Sequence, residues 1–342
     1  MINTECPIGR RDSGVVTLAH GSGGRATNRL IKEMFAVAFP YLQPDTDGAV
    51  LVSPHLSVFT TDSFVVDPVF FPGGDIGKLA VYGTVNDLSM MLASPRYLSV
   101  AFILEEGFPL ADLSRIVNSM ANAANECRVA VVTGDTKVVE RGRGHGIYIN
   151  TTGLGCPLAE SPGPSRVCVG DKIILSGDIG RHGMAIMSAR NGIQTEVPIL
   201  SDCANLSEMV EALAYRTKPH CLRDATRGGL AAALCEIAES SGLYFIVNEE
   251  AIPVCDEVRG LCEIMGMDPL HVANEGRFVF FVDPKDEQKA LSVLHSFENG
   301  KDAVTIGEVK AKRASGLVTT HTLLGSEKII QIPEGEILPR IC

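Results

Sequence analysis

The sequence predicts an α+β protein: two mixed α+β domains followed by a flexible C-terminal tail. Three observations carry that prediction. Apolar segments with the helical period alternate with short apolar runs of strand length through both halves of the 342 residues. Residues 156–166 hold three prolines and a glycine and read as a linker. Beyond residue 325 the periodicity fades among Pro333, Gly335 and Pro339, as expected of an untethered chain end. A chain of this length exceeds an average single domain, and the divisions fall at 1–156, 157–322 and 323–342.

The elements follow in order. A short strand over 15–19 leads into the turn His20-Gly21-Ser22-Gly23-Gly24. Residues 27–39 form an amphipathic helix with Leu30, Ile31, Met34, Phe35 and Ala38 on one face, ended by Pro40 and Pro44. Residues 49–52 and 56–61 read as strands joined at Ser53-Pro54-His55. A long helix over 76–92 stops at Ser94-Pro95, and strand 97–104, helix 111–128 and strands 129–133 and 146–154 complete the first half. The second half runs strand 172–176, helices 183–190, 206–214 and 229–240, strand 244–248, helix 255–265, strand 278–282, helix 286–296 and strand 303–309. Adjacent strands that can pair antiparallel favour α+β over a strictly alternating parallel fold. The last stretch, from Gly325 to Cys342, would span roughly 55–60 Å fully extended at about 3.3 Å per residue.

Composition excludes several classes of function. The formal net charge of -11 gives no general attraction to nucleic acid or anionic membranes. No run reaches the roughly 18 apolar residues of a membrane span. The opening MINTECPIGRRDSG lacks a signal-peptide core, so a soluble cytoplasmic protein is expected. The ten cysteines are scattered without a CxxC pair, which suits reduced, mostly buried thiols and argues against zinc.

Several residues could carry chemistry. Asp62 follows the strand SVFTT, Asp87 lies in GTVNDLSMM, and Asp135 follows RVAVVTG. Three converging carboxylates would bind a hard cation such as Mg2+. Singly, each reads equally as a turn or cap residue. Asp87 resists that reading, because an unpaired carboxylate inside an apolar helix is costly. Lys137, two residues after Asp135, suits a phosphate or oxyanion. Gly73-Gly74-Asp75-Ile76-Gly77-Lys78-Leu79 approaches a P-loop, but its glycines are too close and Leu79 replaces the required Ser/Thr. The turn carrying Gly23 and Gly24 fits a phosphate-touching loop as well as a plain turn, and no acid follows on a second strand as a dinucleotide fold requires. Arg223-Asp224-Ala225-Thr226-Arg227-Gly228-Gly229 opens a helix, where N–H groups can bind an anion or Asp224 or Thr226 can simply cap. Glu275, in Asn274-Glu275-Gly276, is a base or a turn residue. Cys342 is the outlier: cysteines usually hide in cores, and this one ends the chain after Leu338-Pro339-Arg340-Ile341.

Together, AHGSGGR, TDSFVVDPVFFPGGDIGKLAVYGTVNDLSMMLASP, VVTGDTKVV, LRDATRGGLA and the ending PRIC resemble the HypE hydrogenase-maturation family. The resemblance spans nearly the whole chain and keeps the motif order. It implies membership of the superfamily of aminoimidazole ribonucleotide synthase, selenophosphate synthetase and thiamine-monophosphate kinase. The fold expected from it is an N-terminal ATP-binding, dimerising domain, a second α+β domain, and a tail carrying the cysteine. It implies that Cys342 receives a carbamoyl group from the carbamoyltransferase HypF. ATP would then drive dehydration to a thiocyanate, and the cyano group would pass to iron on a HypC–HypD complex for [NiFe] hydrogenase. ATP and Mg2+ would be the cofactors. Asp62, Asp87 and Asp135 match the acidic metal–nucleotide positions. Asn86, Thr226, Gly23 and Gly24 match nucleotide-contacting ones, and Lys137 and Glu275 match positions tied to the dehydration. A small-molecule kinase or ligase of the superfamily would explain the aspartates but leave the PRIC ending idle. A non-catalytic scaffold docking through its tail would bind without ATP turnover.

Overall fold

The computed structural model describes residues 14–17, 20, 29–41, 56–311, 316–321, 327–331 and 341. The turn with Gly23 and Gly24, the strand expected over 49–52, and Cys342 lie outside the described residues. Of the strand expected over 15–19, the described part is one bridge from Val15 to Pro109. Within the first predicted helix, Ile31–Phe35 wind as a π-helix before the α-turn Ala36–Ala38.

The first sheet contains β1 (Val58–Phe64), β4 (Ala93–Glu105), β5 (Ala130–Val139) and β6 (Ile147–Pro157) in the order β1-β6-β4-β5. Only the β4–β5 pair is parallel. Two helices, α1 (Ile76–Met90) and α2 (Leu110–Glu126), build the adjoining core. Period-2 alternation sends Leu98, Val100, Phe102 and Leu104 of β4 into that core, each almost fully buried. Gly153 lets α1 lie close to β6, since a Cβ there would stand 2.8 Å from the Thr84 methyl and 3.0 Å from Leu88. A short ribbon, β2 (Phe70–Phe71) and β3 (Gly74–Asp75), precedes α1.

The glycine-rich segment before α1 does structural work. The Asp75 carboxylate accepts hydrogen bonds from the amides of Gly77 and Lys78, capping the helix. At Gly77 a Cβ would meet the Ile116 carbonyl of α2 at 2.5 Å. The rejection of a P-loop thus has a physical basis: the glycine permits a helix crossing and the acid caps.

The second sheet has the order β13-β12-β9-β11-β7-β10-β8. Its strands are β7 (Lys172–Leu175), β8 (Cys221–Asp224), β9 (Tyr244–Asn248), β10 (Phe278–Val282), β11 (Val304–Lys310), β12 (Leu317–His321) and β13 (Glu327–Ile329). All neighbours pair antiparallel except β12 with β9. The helices are α3 (Arg181–Asn191), α4 (Ser207–Arg216), α5 (Gly229–Ser241), α6 (Asp256–Met265) and α7 (Glu287–His295). β10 is buried on both faces. Phe278, Phe280 and Val282 join the cluster of α4 and α7, while Val279 and Phe281 join that of α5. This explains its unbroken apolar run. Three strands of this sheet, β8, β12 and β13, escape the sequence pattern. β8 has only two apolar residues, and β13 falls in the stretch read as tail, where Ile330 nevertheless bonds to the Val318 carbonyl.

The two sheets are joined by a buried seam. Met90 and Leu92, from the end of α1 and its exit, enter the same cluster as Leu206, Met209 and Phe278. Asn86 fixes the register. Its Nδ2 donates to the carbonyls of Ala204 (3.0 Å) and Glu275 (3.3 Å), and its Oδ1 accepts from the Leu206 amide (2.9 Å). No described helix is long and apolar enough to cross a membrane.

Candidate functional site

The seam between the sheets gathers four carboxyl groups. Asp62 stands on β1 opposite Thr151, whose hydroxyl bonds to the Ala80 carbonyl, so both side chains face α1. Asp87 projects from α1, and Thr60 donates its hydroxyl to it at 3.1 Å. The second domain supplies Asp224, at the end of β8, and Glu275, in the loop before β10. Arg227 reaches across to Asp62 at 3.8 Å.

Their electrostatics follow from the convergence. Asp87 is pushed up to about 7, first by burial and then by Asp224 and Asp62. Asp224 is pushed up to about 6, chiefly by burial, with Asp62 adding to it and Arg223 opposing. Glu275 lies well above the usual carboxylate range through burial, then through Asp224, Asp202, Asp62 and Asp87. Glu275 is 4% exposed, and no hydrogen bond to its carboxyl group occurs among the described residues. A cluster of acids that repel one another is the arrangement a divalent cation relieves.

The loop holding Glu275 is strongly anchored. Buried Asp202 accepts from the amides of Glu275 (3.1 Å) and Gly276 (2.9 Å) through Oδ2, and from the His182 amide (3.0 Å) through Oδ1. Asn274 accepts from the Gly180 amide and donates to the Ala225 carbonyl, tying the loop to the residue after Asp224. Arg277 bonds the Asp178 carboxylate at 2.7 Å in a buried pair. Rigid support of this kind fixes a reacting group.

The predicted residues divide into groups. Asp62, Asp87 and Glu275 come together. Asp135 does not join them within one chain. It pairs across β4 with Ala101, and Ala101 with Asn150, whose amide donates to Ser63 and Thr61 on the sheet face turned away from α1. Lys137 lies on the same outer face beside Ile103 and forms an exposed ion pair with Asp135 at 3.5 Å. β5 and β1 are opposite edges of the sheet, so about 14 Å of strand spacing also intervenes. Within one chain Asp62 and Asp87 therefore have Asp224 as their charged neighbour, while Asp135 stands on the outer face, and the three neighbours do not bring ligand atoms within 4.8 Å of one another. Asn86 is engaged in the seam, where both its N–H groups and its carbonyl hold the Glu275 side of the second domain. Thr226 precedes α5, whose first amides follow Gly228 and Gly229, both at positive φ, without a side-chain cap. A Cβ on Gly229 would lie 2.5 Å from the Leu270 carbonyl.

Among the described residues, one trio brings potential metal ligands within 4.8 Å of one another: Cys168, Asp171 and His220. Its carboxylate is already engaged by the Cys168 amide at 2.8 Å and His220 at 2.7 Å. The described cysteines are free thiols, and burial pushes Cys221 up to about 12 and Cys203 well up.

Comparison with known proteins fits this geometry. Residues 45–156 match the N-terminal domain of AIR synthase related proteins, and residues 169–319 match their C-terminal domain. The chain is 46% identical over 336 residues to carbamoyl dehydratase HypE of Cupriavidus necator, covering 96% of this chain and 95% of that protein. A crystal structure of the hydrogenase maturation protein HypE in complex with ATP superposes with a TM-score of 0.93 at 45% identity, covering 95% of this chain and 99% of that one. A HypE chain from a HypE–HypF complex gives 0.77 at 47% identity, over 89% and 99%.

Proposed function

This chain belongs to the HypE family, and on that premise we propose that it is an ATP-dependent carbamoyl dehydratase acting on its own Cys342. The observation that carries the reading is Glu275: a buried carboxyl group raised by burial and by Asp62, Asp87, Asp202 and Asp224, with no hydrogen bond to it among the described residues.

The chemistry assigns a task to each group. The oxygen of an S-carbamoyl group is a poor leaving group. Its attack on the γ-phosphorus of ATP forms an O–P bond and releases ADP. Removal of the nitrogen protons then forms the C≡N bond as the C–O bond breaks and phosphate leaves. Asp62, Asp87 and Asp224 stand too far apart to close on a bare ion by themselves, and would hold Mg2+ only together with the phosphate oxygens of the nucleotide, where the ion would supply charge neutralisation. Glu275 takes one nitrogen proton as the phosphorylated imidate forms, the second departs on the released phosphate, and the raised proton affinity of Glu275 suits the first transfer. α5 begins without a side-chain cap, and Arg227 just before it reaches Asp62, a combination that suits an anion.

Lys137 and Asp135 fit this scheme through a second copy. They lie on the outer face of the first sheet, where Phe59 is 69% exposed and Ile103 44% exposed. A homodimer formed through the strands of this sheet covers that face and brings Lys137 of one chain toward the carboxylates of the other. The carbamoyl donor partner is the transferase HypF, and the acceptor is an iron-bearing HypC–HypD complex, in the cytoplasm.

Intact-mass analysis tests the reading. Carbamoyl phosphate, ATP and the partner transferase should give wild type a carbamoyl adduct that then loses one water. Cys342→Ala should gain no adduct, and Glu275→Gln should stop at the carbamoyl stage. An adduct on Cys342→Ala at the wild-type level would overturn the carrier role.

A further inference from the structure

One residue near the end of the chain is fixed in the core. Ile341 is 3% exposed and shares a buried cluster with Phe71, Ile186, Cys203 and Ala273. Its carbonyl oxygen lies 2.9 Å from Nε2 of His182, the second residue of α3. His182 is fully buried, and its other nitrogen, Nδ1, lies 2.8 Å from the Ser201 hydroxyl.

The hydrogen-bond donors settle the tautomer. A backbone carbonyl only accepts, so Nε2 carries the proton and donates to Ile341. Nδ1 is then the acceptor, and Ser201 donates to it. The Ser201 oxygen in turn accepts the Cys203 amide at 3.0 Å. Burial lowers the His182 pKa, which favours this neutral form. The ring is also held edge-on against Phe71, with centroids 5.5 Å apart. Ser201 is itself fixed, because its amide donates to the Pro72 carbonyl at 2.9 Å.

His182 is coupled to the candidate acid through one side chain. Asp202 accepts the His182 amide on one carboxylate oxygen and the Glu275 and Gly276 amides on the other. The contact that grips Ile341 and the loop that aims Glu275 therefore share an anchor. One trans peptide advances the chain by about 3.8 Å, so a gripped Ile341 limits where the next residue can start.

We propose that His182 is a positioning residue for the dehydration: its Nε2–H grips the Ile341 carbonyl, and through Asp202 it registers the carrier segment of the same chain against Glu275. This rests on the carrier reading of Cys342. It assigns presentation of the thiol to the chain's own catalytic seam, and it separates that step from loading by the transferase and from ATP binding. Ser201 is part of the device because it selects the tautomer that leaves the proton on Nε2.

The test uses the full-length protein loaded with carbamoyl on Cys342. His182→Phe keeps an aromatic ring against Phe71 but cannot donate to Ile341. Its single-turnover loss of water should fall about 10- to 100-fold, as expected for a misplaced reacting group. The KM for ATP and the carbamoyl loading should stay at wild-type values. In the unloaded protein, alkylation of the free Cys342 thiol by iodoacetamide, read on its own peptide by mass spectrometry, should accelerate several-fold. His182→Gln, which retains an N–H donor, should recover much of the rate. If His182→Phe does not fold, Ile341→Gly removes the buried anchor at the chain end and should give the same slow dehydration per loaded chain and the same faster alkylation. Wild-type rates of dehydration and alkylation in whichever of these variants folds would overturn the proposal. Failure of loaded wild type to lose water would instead overturn the carrier reading beneath it.

Discussion

Asp87→Asn should stabilise the ligand-free protein while abolishing its activity. Asp87 has a pKa of about 7 in the folded chain against 3.8 when exposed. Between those values the folded state binds more protons than the unfolded state, so stability falls as pH rises through the window. The full cost is present above about pH 7 and absent below about pH 4. At about 1.4 kcal/mol per pKa unit the displacement corresponds to about 4 kcal/mol. Sharing of charge with Asp62 and Asp224, together with partial solvent access, brings the expectation to about 2 kcal/mol. Asparagine keeps the shape and an oxygen to accept the Thr60 hydroxyl. Thermal melts of the ligand-free variant should therefore run roughly 3–6 °C above wild type near pH 8 and converge with it near pH 4. Added ATP and Mg2+ should raise the melting temperature of wild type and leave the variant nearly unmoved. A variant that melts lower at pH 8, or whose gain does not change with pH, would refute the reasoning that repelling carboxylates define this site.

Other consequences follow from the same geometry. If Lys137 serves the seam of a second copy, mixing Asp87→Asn chains with Lys137→Ala chains should restore activity that neither has alone. In a mixed dimer one seam is intact only when the two residues come from different chains, and continued inactivity would place them in one chain. Asp202→Ala strips three buried amides of their acceptor, so urea unfolding should show a loss of about 2–5 kcal/mol. Glu275→Gln should bind ATP with wild-type affinity in a calorimeter yet accumulate the carbamoyl adduct, and a proportional loss of ATP affinity would show a structural role instead. In wild type the rate of water loss should rise with pH as Glu275 ionises.

Much of this was legible in the sequence, for physical reasons. Asp87 stood out because it is the one carboxylate in a mainly apolar α1, with Leu79, Val81, Val85 and Leu88 fully buried around it. Glu275 could be singled out but not decided, since its environment comes from Asp224 and Asp202, far off in sequence. Asp224 was passed over as a cap because β8 is only four residues, Cys-Leu-Arg-Asp, too short to show a period. The signal was present in the preceding apolar pair. Asp135 was grouped with Asp62 because each follows an apolar run. Position after a strand does not reveal which face a residue takes, and the register through Ala101 and Asn150 puts it opposite. Asn86 entered as a nucleotide contact through the family resemblance alone, and nothing in its spacing announced that its amide would tie the two domains together. His182 escaped notice because the helix was read from 183, while α3 begins at Arg181. Lone histidines reveal little until their partners are known.

The most direct test of the central claim follows an oxygen atom. Cys342 is loaded with a carbamoyl group carrying heavy oxygen, and ATP and Mg2+ are added. The account predicts that the label appears in the released phosphate, one atom for each water-equivalent lost from the protein, because the carbamoyl oxygen attacks the γ-phosphorus and departs on it. Unlabelled phosphate, with the label in bulk water or retained on the protein, would contradict ATP-driven dehydration at this seam.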